Sequence, residues 1–293
     1  MTLFTRKKDV FDYELIRTCI TCGGSFQGKF CNRCGEKVLL PEDKSLKEFL
    51  SGVLNAFTVL EGKFIRTLTL LVKHPGKLAF NFSRGVRQPY MRLVSIFFVA
   101  NFIFFLFPFM TSNTFSTPFK YQSQMTGYGS IARRIIEQKI QKEGVTYETL
   151  EGNYNAKSSE LAKMLIVLMV VLAAIPLTII NYSPKRYIVE HIYLSFEFNT
   201  FLLFINMIAL STILWVFFVV LHQAGIAAPS VNDRFFGIVS SSLSFYFFAR
   251  ALRVFYGYKW WISITKSLLM VLCMPYVLLT YKFLLFYITI QTI

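Results

Sequence analysis

Residues 93–110 read LVSIFFVANFIFFLFPFM, with one hydroxyl, one amide and no charge. A run like this has no polar face to turn toward water, so as a helix it must be buried all round, in a core or in lipid. Similar runs follow at 161–180, 194–221, 235–256 and 267–289. Each is near the roughly 20 residues that a helix needs to cross the hydrocarbon of a bilayer. Composition decides between core and lipid. The 293 residues are 54% hydrophobic and 16% charged, and 32 of them are Phe. That is more apolar surface than one soluble core absorbs, since soluble chains are about a quarter charged. Pro108, Pro176 and Pro275 are tolerable inside spans and mark places for kinks.

Charge sets the expected orientation. Of the 31 Lys and Arg, 16 fall in residues 1–92, beside 8 of the 16 Asp and Glu. Lys185 and Arg186 lie between the second and third runs, and Arg250, Arg253 and Lys259 between the fourth and fifth. The positive-inside rule then puts the N-terminus in the cytoplasm and the C-terminus outside a multi-pass bacterial cytoplasmic (inner) membrane. Arg84, Arg87 and Arg92, directly before the first run, are expected to face an anionic inner leaflet. Nucleic acid is the competing explanation for such charge, and the abutting span favours lipid. Lys266 and Lys282 interrupt the fifth run and are expected to snorkel toward opposite surfaces.

The first 92 residues are more polar. Residues 1–18 read as a tail. Residues 19–37 hold Cys19-Ile20-Thr21-Cys22-Gly23 and Cys31-Asn32-Arg33-Cys34-Gly35. Two such pairs can turn four thiolates on one ion, and glycine after each second cysteine lets the backbone turn under the sulfurs. One structural zinc ion is the expected cofactor, ahead of a rubredoxin-like iron. Two disulfides would require an oxidising compartment, against the predicted orientation. Four protein ligands leave no open position for catalysis. Phe26 and Phe30 are expected in the ribbon core, with a partner-facing surface as the alternative. From a capping box at Ser45–Glu48, apolar residues recur every three or four positions through Leu71, and His74-Pro75-Gly76 stops the helix. Residues 45–92 are therefore expected to be amphipathic helices on the membrane surface, with a soluble helical hairpin as the alternative. The 111–160 loop is expected outside, with a short amphipathic helix around Ile131–Ile140. The fold class is thus an all-α membrane protein, with about five transmembrane helices after interfacial helices and a small zinc ribbon.

Polar residues inside the runs are the remaining candidates. His191, Ser195, Asn199 and Asn206 share one helical face, with Glu190 and Glu197 on another. Such a stripe either lines a cavity or joins neighbouring helices by hydrogen bonds, and joining is the more economical reading. Glu197 and Arg250 have matched depth and opposite sign, so they either pair or both sit at headgroup level. Gly237 with Ser240, Ser241, Ser242 and Ser244 suggests close helix packing, and Asn101 reads the same way. His222 is expected at the outer interface. No hydrolase elbow, P-loop, HExxH or dinucleotide fingerprint is present, and the histidines number three. Internal repeats, common in transporters, are absent.

The order of features resembles a family of uncharacterised bacterial integral membrane proteins with an N-terminal zinc ribbon. The resemblance covers roughly residues 19–280. It rests on the paired CxxCG knuckles, Glu61-Gly62-Lys63-Phe64, His74-Pro75-Gly76, Gly85-Val86-Arg87-Gln88-Pro89-Tyr90 and Glu190-His191-Ile192. It implies a membrane location and no known activity, so it carries no catalytic residue across. The leading expectation is a non-enzymatic membrane protein whose ribbon binds a cytoplasmic protein partner or senses the membrane. A small transporter or channel using the stripe is the first alternative. A lipid-modifying enzyme using His191 with Glu190 or Glu197 is the second.

Overall fold

The computed structural model describes residues 12–36, 38, 62–106, 115–223 and 233–293, the side chains at 206, 207, 222, 233, 234 and 236 excepted. The Ser45–Glu48 capping box, the first part of the amphipathic stripe, residues 107–110 and the side chains of Asn206 and His222 lie outside these. The chain divides into two units, Met1–Glu61 and Gly62–Ile293.

The first unit is built on two short strands, β1 (Arg17–Thr18) and β2 (Ser25–Phe26), paired antiparallel with Arg17 opposite Phe26. Phe26 is buried with Cys19 and Cys31, and Cys22 and Val38 pack against them. Phe30 is 59% exposed, so the expectation that it joins this core is corrected. Among the described residues, Phe26 is the ring buried against the cysteines.

The second unit is helical. Residues 62–73 form α1, followed by α2 (Lys77–Ser83), α3 (Leu93–Leu106), α4 (Phe119–Gln122), α5 (Gly129–Glu143), α6 (Tyr147–Leu165) and α7 (Val167–Ile180). Next come α8 (Ile188–Phe201), a π-helical segment (Leu202–Leu210), α9 (Ser211–Gln223), α10 (Asp233–Tyr256) and α11 (Trp260–Thr292). Three stretches are long and apolar enough to cross a membrane: Ile188–Leu221, Gly237–Tyr256 and Trp260–Thr292. A fourth is reached if α6 and α7 form one span, although they bend by 56°. The first run is helical over 14 described residues, about 21 Å at 1.5 Å per residue, short of a full crossing.

Two expected spans change character. The span expected at 161–180, with Pro176 as its place for a kink, is instead broken at Ile166, with α6 ending before it and α7 beginning after it. Carbonyls at the end of α6 find partners elsewhere. The Asn101 amide donates to the Lys163 carbonyl at 3.1 Å, and the Tyr281 hydroxyl donates to the Ala162 carbonyl at 3.3 Å. Backbone groups freed inside an apolar environment need such partners. The fifth span, expected at 267–289, is a helix of 33 residues, about 50 Å long and well beyond a 30 Å hydrocarbon core. Its C-terminal turns carry Phe286 and Ile290 into a separate small core with Phe119, Tyr128, Ile136 and Tyr154. The segment expected as a loop is thus largely three helices, packed on the end of α11. Gln122 organises it, donating to the Thr117 carbonyl at 2.7 Å and accepting from the Tyr128 hydroxyl at 2.9 Å.

The main core gathers Phe97, Phe104, Phe198, Phe247, Phe248 and Phe255 with aliphatic neighbours from α3, α7, α8, α10 and α11. Phe198 lies 4.4 Å from Phe248 and 5.3 Å from Phe247, ring centre to ring centre. These contacts place α8 against α10 and set the depth of the polar groups on α8.

Candidate functional site

In the ribbon, each CxxCG turn repeats the same bonds. Gly23 N–H donates to the Cys19 carbonyl at 2.9 Å, and Gly35 N–H to the Cys31 carbonyl at 2.8 Å. The Cys19 and Cys31 amides donate in turn to the Gly24 and Glu36 carbonyls. Thr21 Oγ1 donates to Glu36 Oε2 at 2.9 Å, linking one knuckle to the other. The result brings the sulfurs of Cys19, Cys22, Cys31 and Cys34 within 4.8 Å of one another. Cys19 Sγ lies 3.4 Å from Cys34 Sγ, and Cys22 Sγ lies 3.7 Å from Cys31 Sγ. A tetrahedron with metal–sulfur bonds of about 2.3 Å has edges of about 3.8 Å, so the sulfurs frame a site for one metal ion.

Charge supports the same arrangement. The Cys34 and Arg33 amides aimed at Cys31 lower its thiol to about 6. At Cys34 the Glu36 amide acts in the lowering direction, but the Cys19 thiol, burial and the other thiols push it up to about 12. Four sulfurs this close cannot all be anionic unless a cation lies among them. The donor set fits a metal, and all four positions are filled by protein.

The polar residues of α8 are dispersed rather than gathered. Glu197 is fully buried, and its partners are backbone amides. Oε1 accepts from Gly76 N–H and Oε2 from Ala79 N–H, each at 2.7 Å. The first turn of α2 starts at Gly76, which has no side chain with which to cap it. A carboxylate 121 positions later supplies the missing oxygens and complements the positive end of the helix. Gly76 adopts φ +84°, and a Cβ there would come within 2.6 Å of Ala251 Cα on α10. Only glycine therefore lets the His74-Pro75-Gly76 turn sit between α8 and α10. Arg250 is exposed and forms no ion pair with Glu197.

Glu190 pairs with Arg186 at 3.0 Å, and Arg186 also donates to the Phe255 carbonyl at 2.9 Å. His191 is buried, with Nδ1 2.6 Å from the Tyr256 hydroxyl. Ser195 donates to the Val170 carbonyl of α7 at 2.6 Å. His191 and the two glutamates do not converge on one reacting position. Lys266 donates to the Ile180 carbonyl at 2.8 Å and to the Tyr258 hydroxyl at 3.0 Å. Its ammonium closes the C-terminal end of α7, where a cation is favoured. Reasoning from helical faces offered Arg250 or the headgroup level as the surroundings of Glu197 and missed Gly76 as its partner. The one available signal was a helix start without a capping side chain. Arg84, Arg87 and Arg92 are exposed, Arg84 stacked over Phe80 at 4.4 Å.

Fold and site together define a mostly helical chain with candidate membrane spans and four cysteines placed to hold a metal ion. A family model described as "Protein of unknown function (DUF3667)" matches residues 61–105, which run from α1 through the Gly76 turn and α2 into α3. No curated protein and no solved structure matches the chain. The match and the cysteine cluster fit an uncharacterised family.

Proposed function

We propose that this is a non-enzymatic protein of a bacterial cytoplasmic membrane whose N-terminal ribbon holds one structural zinc ion and binds a cytoplasmic protein partner. The observation that carries this reading is the closed set of four sulfurs, which has no position left for a substrate. Zinc is the default ion for four thiolates in a structural site. The ribbon also keeps apolar side chains outside its core. Ile20, at the tip of the first knuckle, is 100% exposed, and Phe30 precedes the second. Apolar groups held rigidly on a metal-braced turn suit protein recognition. The basic Arg84–Arg92 segment is assigned to the anionic inner leaflet, with the N-terminus in the cytoplasm.

Replacing Cys31 and Cys34 together by Ser tests the reading. The variant is expected to lose its bound zinc, measured by metal analysis, while remaining in the detergent-extracted membrane fraction. Proximity labelling in cells from a tag before the ribbon should then lose the neighbours seen with the native chain. Unchanged neighbours would make the ribbon dispensable and remove the reading. The transporter alternative draws on a cavity beside Asn199, whose lining bears on its ligand as follows.

A further inference from the structure

A cavity of about 260 Å³ lies within the helical unit, bounded by α3, α7, α8, the π-helical segment, α10 and α11. Phe97, Leu203 and Leu278 give it hydrocarbon walls. Its polar lining is Asn199 on α8 with Ser240, Ser241 and Ser244 on α10, and no lining residue is charged. The serines, expected to pack helices together, therefore face a space instead. At Gly237, also in the wall, a Cβ would meet nothing within 4 Å. Gly237 and Ser241 are exposed and lie on Gly237–Tyr256, one of the membrane-length helices. On the membrane reading, the mouth of the cavity opens to hydrocarbon.

Asn199 supplies the second observation. It is 6% exposed, and its Nδ2 donates to the Ser195 carbonyl at 2.9 Å. A carbonyl can only accept, which fixes the nitrogen end of the amide. Oδ1 is thus the end turned from Ser195, and it accepts no hydrogen bond from any described residue. Asn199 lines the cavity, so this acceptor is open to whatever fills it. A mostly apolar cavity does not hold water well, and an acceptor left facing hydrocarbon is costly. One ligand resolves both conditions by bringing an alkyl chain and one hydrogen-bond donor. Its head must be uncharged, because nothing in the lining would pair with a phosphate or carboxylate. We propose that the cavity binds a neutral, hydroxyl-bearing lipid, its hydroxyl donating to Asn199 Oδ1 and its chain lying along Phe97, Leu203 and Leu278.

The test uses the full chain in phosphatidylcholine vesicles with three diazirine probes of equal length: hexadecanol, hexadecane and palmitate. Hexadecanol is expected to label peptides of α8, α10 and α11 at the cavity well above Ile213 and Val216, which are exposed on α9. Asn199→Leu should lower the advantage of hexadecanol over hexadecane about fivefold, the worth of one hydrogen bond. Gly237→Trp, which extends into open space, should reduce cavity labelling by both probes. Equal labelling of cavity and α9 surface would overturn the proposal, as would palmitate labelling the cavity as strongly as hexadecanol. A chain that stays soluble without detergent would instead remove the membrane reading beneath it.

Discussion

In the ribbon, four cysteine sulfurs converge within 4.8 Å of one another, a set able to hold a metal ion, whereas in the helical unit Glu197 and Lys266 bind the chain's own helix ends. Among its described residues the ribbon has little apolar interior, with Phe26 as the one buried ring, and modules of this kind commonly draw their folding energy from a bound ion. The helical unit has a large aromatic core and uses its buried charges to close backbone groups that the apolar surroundings would otherwise leave unpaired. The first arrangement is reversible by chemistry in the medium. The second is internal to the fold, with Glu197 fully buried and Lys266 partly so.

The largest expected effect separates the two directly. Binding of structural zinc to small thiolate modules is worth about 10–16 kcal/mol near neutral pH, and this binding energy is the folding energy. Chelation, or Cys31→Ser with Cys34→Ser, should therefore collapse the dispersed amide resonances of residues 12–38. Thermal unfolding of the helical unit in detergent should stay where it was. A matching loss in both units would mean that they do not fold independently. Next comes Glu197→Ala, which strands the Gly76 and Ala79 amides. At about 1–3 kcal/mol for each unsatisfied buried donor, it should cost roughly 2–6 kcal/mol, seen as a lower Tm in detergent with zinc content unchanged. Lys266→Met should cost less, about 1–3 kcal/mol, because it frees the Ile180 carbonyl at a partly exposed helix end.

The two regions also differ in how far their sequence discloses them. CxxCG is local: spacing alone brings the sulfurs together, and no distant residue is needed. The Glu197 contact has no residue-type signature, because its partners are amides of Gly76 and Ala79, and every residue but proline has one. The helix break shows the same limit. Pro176 is the visible mark for a kink, yet the chain bends at Ile166, where Asn101 and Tyr281 from other helices take up the carbonyls. Hydropathy located the apolar runs but trimmed α11 at Lys266, since a lysine in a span was expected at a surface. Its real position is set by the end of α7, a tertiary fact. The cavity was half visible: the polar stripe on α8 allowed one, and Asn199 lines it, but the α10 serines that complete its wall read as packing. Gly and Ser in a span signal close packing as readily as open space, and only the neighbours decide.

Two glycines isolate what the buried junction requires of its backbone. Gly76 and Gly85 have nearly the same dihedral, φ +84° and +83°, so alanine at either meets the same left-handed strain, about 1–2 kcal/mol. Their surroundings differ. Around Gly85 a Cβ finds nothing within 4 Å, whereas at Gly76 it runs into Ala251 Cα, O and Cβ at 2.6–2.9 Å. Gly76→Ala must therefore also push α2 from α10 and lengthen the bonds to Glu197, for a total of roughly 2–5 kcal/mol. Gly85→Ala should show the strain alone, a Tm drop small enough to leave the fold intact. The difference between the two variants measures the close approach itself. It should shrink when both are made in a Glu197→Ala background, because the turn is then no longer held by the carboxylate. An undiminished difference would show that the α10 contact, rather than Glu197, fixes the turn.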